Sequence, residues 1–576
     1  WLEENYRRFL EFALQGIKPY IFLLSTFSLL FLSFILFILF PPKIEFFPNN
    51  DPIQIMIFME YPEGTAIKKT NLTAKKIEKE VFKVIERPKF SDGKVNFLVE
   101  SNVSQVGEGA GNPETDNGNT NEMPNKAKIT LSMKEYKFRN GISSEELRME
   151  IQKQLIGKFP GVSISVEKDS KGPPSGYPIT IEITGNDYLY LINTAKNMKE
   201  FLNKENINGV EELKIDVNKN KPGLKLIVDR KKAGELGVSA SQIGQVLRTS
   251  LFGSKAGVYR KNGEDYDINV RFNKNYRYDN NALFNQNIIF RNPSSGKIKE
   301  IPISALIKKE NTASFSAIKH RKMLRVVTLY SSVLAGYNAN DVVNKVKKSL
   351  DNFSLPNNIE YKFSGEIEEQ EKNMTFLSKA LLSALGLILI LLVFQFNSIS
   401  KPLIILLSIF LSFTGVLFGL IIFQMPFVIL MTMMGIISLS GIVVNNGVVL
   451  LDYTQLLIDI KKKELSIKIE ENLPKKELIN AIIDSGSARL RPVLLTAITT
   501  ILGLIPLSIG LNIDFFSLFT KWDSNIYIGG DNVMFWGPLA WTVIFGLSFA
   551  TFLTLIIVPS TFLIVQNVKC QFKKLL

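Results

Sequence analysis

The sequence predicts an α+β membrane protein, in which six transmembrane helices carry a large external region of two ferredoxin-like βαβ subdomains with an insert. Three observations support this fold class. Apolar stretches long enough to cross a bilayer occur once near the amino terminus and five times after residue 373. The polar region between them repeats strand and helix patterns twice in a similar order. A glycine- and proline-rich segment at 171–176 separates the two repeats.

The spans are runs of apolar residues bounded by proline or charged residues, which are signals for helix ends. They are predicted at 20–40, 374–396, 403–423, 427–451, 492–511 and 538–565. Before the first span, apolar residues recur at four-residue steps beside two arginines. This spacing predicts an amphipathic helix that lies along the membrane surface.

Lysine and arginine are concentrated on alternate connections between the spans. By the positive-inside rule, this places both termini in the cytoplasm and the large polar region outside. The predicted parts are a cytoplasmic amphipathic helix 1–18, a transmembrane helix 19–41, external subdomain one 42–170, external subdomain two 171–250 and 316–373, an insert 251–315, five transmembrane helices 374–567 with a cytoplasmic loop 453–491, and a cytoplasmic tail 568–576.

The fourth predicted span carries a stripe of small and polar residues. Ser438, Gly441, Asn445 and Asp452 are spaced so that they share one helix face. Asn446 lies next to Asn445, near the depth where polar groups are most costly in lipid. The stripe predicts either a helix–helix contact or part of an ion path, and the residues alone leave both interpretations open.

A second candidate site is the glycine- and asparagine-rich segment 106–125, which contains Gly107, Gly109 and Gly111. Its composition cannot bury enough apolar surface to hold the segment rigid. The segment is therefore predicted to be a loop, and both a plain surface loop and a functional gate are consistent with it.

Composition and motifs argue against several other functions. One cysteine, Cys570, and one histidine, His320, cannot build a disulfide framework or a Cys/His metal cluster. The GxxxxGK[ST] phosphate-binding motif is absent, so ATP hydrolysis by this chain is not expected. The formal net charge of +14 comes from lysines spread along the chain, and no nucleic-acid partner, cofactor or enzymatic activity is predicted.

Four motifs resemble the carboxyl-terminal half of resistance-nodulation-division efflux permeases of the hydrophobe/amphiphile (AcrB-like) type. They are EFFPNNDP at 45–52, YPEGT at 61–65, GIVVNNGVVLLDY at 441–453 and RLRPVLLTAITTILGLIPL at 489–507. The resemblance covers essentially the whole chain. It implies an exporter of small molecules that is driven by proton antiport and lies in the bacterial inner membrane. This chain would supply the seventh to twelfth spans of that exporter and half of its periplasmic porter and docking domains. The insert would be docking-like.

The resemblance also implies partners. They are an amino-terminal permease half with the first six spans, further copies of the chain in a homotrimer, a periplasmic adaptor and an outer-membrane channel. The proton-carrying aspartates of the family belong to the amino-terminal half. This chain alone is therefore not expected to couple proton flow to export.

The resemblance further implies a proton-relay network of Asn445, Asn446, Asp452, Arg489 and Thr496. Asn445 departs from the best-known multidrug members, which have lysine at this position. Asparagine offers only neutral hydrogen bonds, so a charge-pair switch with an aspartate is not expected here. For Thr496, a hydrogen bond to its own helix backbone is an equally open interpretation.

The segment 106–125 corresponds to the family's switch loop between two substrate pockets. Of the positions that match its aromatic deep pocket, Phe97, Asn102, Ser104 and Thr130, only Phe97 keeps a ring, which weakens the case for broad drug binding. A heavy-metal cargo is less expected, because Met, Cys and His do not cluster in the external region. The alternatives are a degraded remnant, a membrane scaffold, and a member of the related secretion or lipid-transport branch. The double repeat with an insert argues against the secretion or lipid-transport branch.

Overall fold

The computed structural model describes the chain apart from residues 49, 94, 113–122, 170–175, 218–220, 292–295, 315–317, 335, 357, 468–470, 472, 523 and 576. Most of the predicted switch loop 106–125 and nearly all of the linker 171–176 therefore lie outside the described residues. The statements below concern the described part of the chain.

The helices are short or amphipathic in the external region and long and apolar elsewhere. They are α1 Leu2–Ala13, α2 Lys18–Leu39, α3 Ile67–Ile85, α4 Ser144–Leu155, α5 Tyr188–Glu205, α6 Arg230–Leu236, α7 Ala240–Phe252, α8 Lys274–Arg277, α9 Asn280–Phe284, α10 Ala339–Leu350, α11 Glu366–Phe396, α12 Ser400–Ile422, α13 Ile429–Glu464, α14 Lys475–Ile509, α15 Phe515–Lys521 and α16 Asp531–Leu575.

Nearly all strands lie in the external region. They are β1 Ile44–Glu45, β2 Gln54–Glu60, β3 Val99–Gly107, β4 Met123–Met133, β5 Ser163–Lys168, β6 Ile179–Gly185, β7 Lys214–Ile215, β8 Lys221–Val228, β9 Ser254–Lys261, β10 Glu264–Val270, β11 Asn287–Arg291, β12 Ile298–Pro302, β13 Ile307–Ser314, β14 Lys319–Arg321, β15 Leu324–Ser331, β16 Glu360–Phe363, β17 Phe427–Val428, β18 Leu511–Asn512 and β19 Tyr527–Ile528.

Six described helices are long and apolar enough to cross a membrane: α2, α11, α12, α13, α14 and α16. Their number confirms the six predicted spans. Helices α14 and α16 begin before the predicted span starts at Pro492 and Pro538, so both prolines lie inside helices. A proline removes one backbone hydrogen bond, and neighbouring helices can satisfy the carbonyl that it leaves free.

Helix α16 is the most buried of the six spans, and glycines bring its neighbours close to it. A Cβ added at Gly546 would lie 2.1 Å from Leu439 Cδ2 of α13, and one at Gly419 of α12 would lie 2.3 Å from the Phe545 ring. Glycine at these positions therefore permits the close helix packing on which membrane bundles depend.

The first external subdomain is one antiparallel sheet of four strands in the order β3-β4-β2-β5. Along the chain its elements follow the order β2-α3-β3-β4-α4-β5. The helices cover one sheet face, with Ile57, Ile77, Leu131 and Leu147 in the shared core. Before β3, Asn96 Oδ1 accepts hydrogen bonds from the backbone nitrogens of Leu98 and Val99 and forms a turn.

The second external subdomain repeats this arrangement. Its sheet has the order β14-β15-β6-β16, and the short strand β7 also pairs with β15. Before β7, an isolated bridge between Val210 and Val333 adds a further contact within this subdomain. Helices α5 and α10 occupy the positions that α3 and α4 occupy in the first subdomain.

The insert forms a compact unit of its own, Val217–Ile318. Its core contains Ile243, Phe284, Phe290, Ile303 and Leu306. The unit begins earlier than the predicted boundary at 251, because α7 buries its apolar face in this core.

Candidate functional site

Helix α13 carries the predicted polar stripe, and small residues fix its other side against the bundle. A Cβ added at Gly435 would lie 2.8 Å from Thr542 Cβ of α16. One added at Gly447 would lie 3.4 Å from Ile405 of α12. These contacts determine which face of α13 is buried.

The four residues predicted to share a face, Ser438, Gly441, Asn445 and Asp452, are all exposed. A Cβ added at Gly441 would meet no heavy atom of the described residues within 4 Å. The described part of this chain therefore leaves the stripe uncovered, and the stripe is not a helix contact within it.

Asn446 points the other way. It is 5% exposed, and its Oδ1 accepts a hydrogen bond of 3.2 Å from Thr496 Oγ1 of α14. The same hydroxyl also lies 2.9 Å from the Val493 carbonyl, so its single proton is shared between α13 and its own helix backbone. The adjacent asparagines thus have different environments, one inside the bundle and one on its surface.

A second polar contact joins α13 to α14 closer to their charged ends. Thr454 Oγ1 and Ser485 Oγ are 2.7 Å apart and buried. The sequence analysis missed this pair. Its signal was available, because Asn446, Leu450 and Thr454 follow at four-residue steps and therefore share the buried face.

Arg489 lies at the same end of α14, with its guanidinium 4.3 Å from the centre of the Tyr453 ring, a cation–π contact. Its Nε is buried and has no hydrogen-bond partner among the described groups. Asp452 is exposed on α13. Of the five predicted relay residues, the described contacts directly join only Asn446 and Thr496.

The predicted substrate-path residues also separate. Gly107 and Gly109 have positive φ values of 81° and 69° at the end of β3, and Gly111 follows them. Phe97 lies just before the other end of β3, where it borders an open cavity with Phe138 and Lys134. At about 3.3 Å per residue, the length of β3 keeps Phe97 away from these glycines.

The positions matched to the deep pocket lie on both faces of the first sheet. Asn102 Nδ2 and Ser104 Oγ donate to the same Glu78 oxygen of α3, over 2.7 and 2.9 Å, so they face the helices. Thr130 alternates with the core residues Ile129 and Leu131 and faces the opposite side. These positions therefore do not line one pocket.

The described start of the glycine-rich loop is held by a polar cluster that the sequence analysis missed. Asn112 Nδ2 donates to Glu167 Oε2 over 3.1 Å and to Tyr177 Oη over 2.7 Å. Tyr177 donates in turn to Glu167 Oε1 over 2.9 Å. Its ring lies 5.1 Å from the ring of Tyr330 on β15. The loop is thereby tied to the sheets of both external subdomains.

The same cluster borders a cavity of about 330 Å³ between the two subdomains. Carboxylates outnumber cations in its wall: the carboxylates are Glu45, Asp51, Glu167, Asp169, Glu211 and Glu366, and the cations are Arg148 and Lys168. The wall also contains the aromatic rings of Phe46, Phe47, Tyr177 and Tyr337. Burial raises the pKa of Glu211, and burial lowers the pKa of Lys168. The wall is thus suited to a cationic or amphiphilic small molecule.

The AcrB/AcrD/AcrF family profile matches residues 1–514. The chain is 30% identical over 348 residues to the swarming motility protein SwrC of Bacillus subtilis (strain 168), and the match covers 60% of this chain and 29% of SwrC. It is 25% identical over 382 residues to the cobalt-zinc-cadmium resistance protein CzcA of Cupriavidus metallidurans, 66% of this chain and 32% of CzcA. It is 22% identical over 364 residues to the multidrug resistance protein MdtC of Proteus mirabilis, 62% of this chain and 32% of MdtC.

The crystal structure of a heavy metal efflux pump, crystal form II, superposes with a TM-score of 0.70 at 20% identity, over 98% of this chain and 53% of the pump chain. At this identity the similarity shows the fold alone. The matches cover about half of the pump chain and about a third of each of these three relatives. The family match and the six apolar helices show that this chain is an inner-membrane protein of the AcrB/AcrD/AcrF family of resistance-nodulation-division transporters.

Proposed function

We propose that this chain is the carboxyl-terminal half of a proton-motive-force-driven efflux transporter that exports small molecules across the cell envelope. The uncovered stripe on α13 carries the proposal. Gly441 and Asn445 are exposed within an otherwise apolar span. A polar amide that faced lipid at this depth would be costly, so the stripe requires a partner that offers polar groups.

The partner we infer is an amino-terminal half that supplies six further spans and the titrating carboxylates. The family membership supports this inference, and so does the match to about half of the solved pump chain. Asn445 would hydrogen-bond a carboxylate on the partner and would respond when that carboxylate is protonated. Asn446 and Thr496 would hold α13 and α14 in register behind it.

The proposed orientation follows from the basic residues. Lys461, Lys462 and Lys463 end α13, and Arg489 and Arg491 lie on α14. The positive-inside rule then puts this end, and both termini, in the cytoplasm, and the external subdomains in the periplasm. In this orientation Arg489 and Asp452 lie at the cytoplasmic mouth of the relay.

The external region is proposed to form the substrate path. The βαββαβ element order of the first sheet, repeated around the insert in the second, supports two ferredoxin-like porter subdomains. The unit Val217–Ile318 would be the docking domain, through which a homotrimer meets a periplasmic adaptor and an outer-membrane channel. The loop Gly107–Asn112 and the acidic cavity behind it would select cationic small molecules.

The test is reconstitution with a matching amino-terminal half, with export of a fluorescent cationic dye as the readout. Export should stop when a protonophore collapses the proton gradient. Export that continued after collapse would contradict proton coupling. Absence of export from an assembled pair would support a non-transporting remnant or scaffold.

Variants on the stripe sharpen this test. Gly441→Leu and Asn445→Leu should leave the isolated chain folded, because both side chains would enter open space, but should impair export and association with the partner. Asn445→Asp should impair export less than Asn445→Leu. Gly503→Leu is the matched control, since a Cβ at Gly503 also meets no heavy atom of the described residues within 4 Å. Equal export by Asn445→Leu and wild type would remove Asn445 from the relay.

A further inference from the structure

The connection between α14 and α16 carries an exposed aromatic face that the proposed transport function does not use. We call residues 510–522 and 524–530 the aromatic loop. It contains α15 and the strand pair β18–β19. Four aromatic side chains are 61%, 77%, 79% and 91% exposed: Phe515, Phe516, Phe519 and Trp522. Helical spacing places Phe515 and Phe519 on one side of the short helix α15, with Phe516 adjacent, and Trp522 follows the end of the helix.

The loop that carries this face is well braced. Asn512 Nδ2 donates to the carbonyls of Gly510 and Gly529, over 2.9 and 2.8 Å, and closes the base. Asp514 accepts hydrogen bonds from the Ser517 backbone nitrogen, over 3.0 Å, and from the Ser517 hydroxyl, over 2.7 Å. These polar contacts hold the backbone that carries the aromatic side chains.

The β19 end of the aromatic loop contacts the first external subdomain. A Cβ added at Gly529 would lie 2.6 Å from Tyr136 Oη, so the turn touches this tyrosine closely. The rings of Tyr136 and Tyr527 are 6.4 Å apart. The loop is therefore packed against the external subdomain at this end, while its four aromatic side chains stay exposed.

The height of the loop relative to the bilayer follows from the flanking spans. The apolar run of α14 continues to its end at Ile509, and α15 begins at Phe515. A chain segment of this length reaches at most about 20 Å, and the β18–β19 pairing shortens that reach. The aromatic face therefore lies beside the boundary of the hydrocarbon core, where tryptophan and other aromatic side chains are favoured.

We propose that the aromatic loop is an interfacial anchor, whose Phe515, Phe516, Phe519 and Trp522 side chains lie in the headgroup layer of the membrane. Exposed apolar side chains continue from the end of α14 to the start of α15, at Leu507, Ile509, Leu511 and Ile513. This continuity with an apolar span identifies lipid as the occupant of the face. The proposal depends on the membrane spans and not on export, so a failure of the transport experiments leaves it standing.

The experiment compares the full chain and its Trp522→Phe variant in phosphatidylcholine vesicles. The difference in tryptophan emission isolates Trp522 from the other three tryptophans. Lipids brominated near the headgroup end of their chains should quench this difference signal strongly, and lipids brominated near the chain terminus should quench it less. Phe519→Asp, which adds a charge to the same face, should reduce the quenching, whereas Phe519→Tyr should retain it.

Tyr190→Trp provides an aqueous control. Tyr190 is exposed on α5. Helix α5 follows one end of β6, whereas the spanning helix α11 begins near the other end of β6, so Tyr190 lies away from the membrane spans. Its emission should respond to aqueous iodide and not to brominated lipid. A Trp522 signal that responded only to iodide would place the loop in water. A signal that responded to neither quencher would show that protein covers the face, and either result would overturn the proposal.

Discussion

Thr496 donates a hydrogen bond to Asn446 over 3.2 Å. Asn445, the residue that precedes Asn446, is exposed on a different face of α13. Two identical side chains in sequence therefore serve different surfaces. The buried one holds two helices of this chain together, and the exposed one is available to a partner. This division suggests measurements that treat the two asparagines separately.

The first prediction concerns the buried asparagine. Asn446→Ala should destabilise the isolated chain by about 1–2 kcal/mol, because it removes an interhelical hydrogen bond and leaves a small cavity. Asn445→Ala should change stability by less than about 0.5 kcal/mol, because its side chain is exposed. Denaturant unfolding of the chain in mixed micelles measures both. Thr496→Val completes a double-mutant cycle, and a coupling energy of zero would show that this hydrogen bond contributes nothing.

The second prediction concerns glycine in the bundle. Gly546→Ala would place its Cβ 2.1 Å from Leu439 Cδ2 and 3.0 Å from Val416 Cγ2. This overpacking should destabilise the chain by about 1–3 kcal/mol. Gly503→Ala is the control, since its Cβ meets no heavy atom in the described part of the chain within 4 Å. It should be neutral or stabilise the chain by up to about 1 kcal/mol. Equal unfolding midpoints for the two variants would contradict the close approach of α13 and α16.

The third prediction links the amino-terminal helix to a proline. Tyr6 Oη donates to the Leu555 carbonyl over 2.7 Å, and Pro559, four residues later in α16, has no backbone N–H to offer that carbonyl. Burial raises the pKa of the Tyr6 phenol, so the hydroxyl stays protonated and able to donate. Tyr6→Phe should lower the free energy of unfolding by about 1–3 kcal/mol, because it leaves a buried acceptor without its hydrogen bond.

Tyr6→Phe should lower the free energy of unfolding by less when Pro559 is replaced. Pro559→Ala restores the N–H that can bond Leu555, so Tyr6→Phe in that background should have a smaller effect on the unfolding midpoint. Identical costs in both backgrounds would show that Tyr6 does not compensate for the proline.

The fourth prediction concerns pH. Burial raises the pKa of Glu211, so the folded protein binds this proton more tightly than the unfolded chain does. The stability associated with this proton is therefore full below the ordinary glutamate pKa of about 4.3 and is lost as the pH rises through the raised pKa. Glu211→Gln can retain the hydrogen bond from Gln152 Nε2, which is 2.8 Å long.

Glu211→Gln should therefore raise the unfolding midpoint at neutral pH and have little effect below about pH 4. Thermal unfolding followed over this pH range makes the comparison. Glu205→Gln, at an exposed position on α5, is the control for removing one carboxylate. A stabilisation by Glu211→Gln that was the same at every pH would contradict the raised pKa.

The fifth prediction concerns the glycine-rich loop. Asn112→Ala removes the hydrogen bonds to Glu167 and Tyr177 and should increase amide hydrogen exchange at Gly107–Ala110. Asn102→Ala removes a hydrogen bond of similar length, to Glu78, and should leave those amides protected. Deleting 107–122 should alter substrate handling without preventing assembly. Loss of folding in that deletion would contradict the switch-loop interpretation.

Local patterns predicted the six spans and both βαββαβ repeats. Apolar length and strand alternation are properties of neighbouring residues, so the chain reveals them without its tertiary contacts. Element ends were less predictable. Pro492 and Pro538 resemble helix starts, yet helices continue through them where other groups accommodate the ring and the missing N–H.

The candidate sites depended more on contacts between distant residues. Asn112, Glu167 and Tyr177 belong to a loop, a strand and a linker end, and no local pattern joins them. Likewise, spacing predicted that Ser438, Gly441, Asn445 and Asp452 share one face of α13. The packing of Gly435 against Thr542 and of Gly447 against Ile405 turned that face outward, because glycine allows a close approach only on its own side of the helix. The sequence by itself thus determined that a polar stripe exists within a membrane span, and the tertiary structure decided that this chain leaves it uncovered.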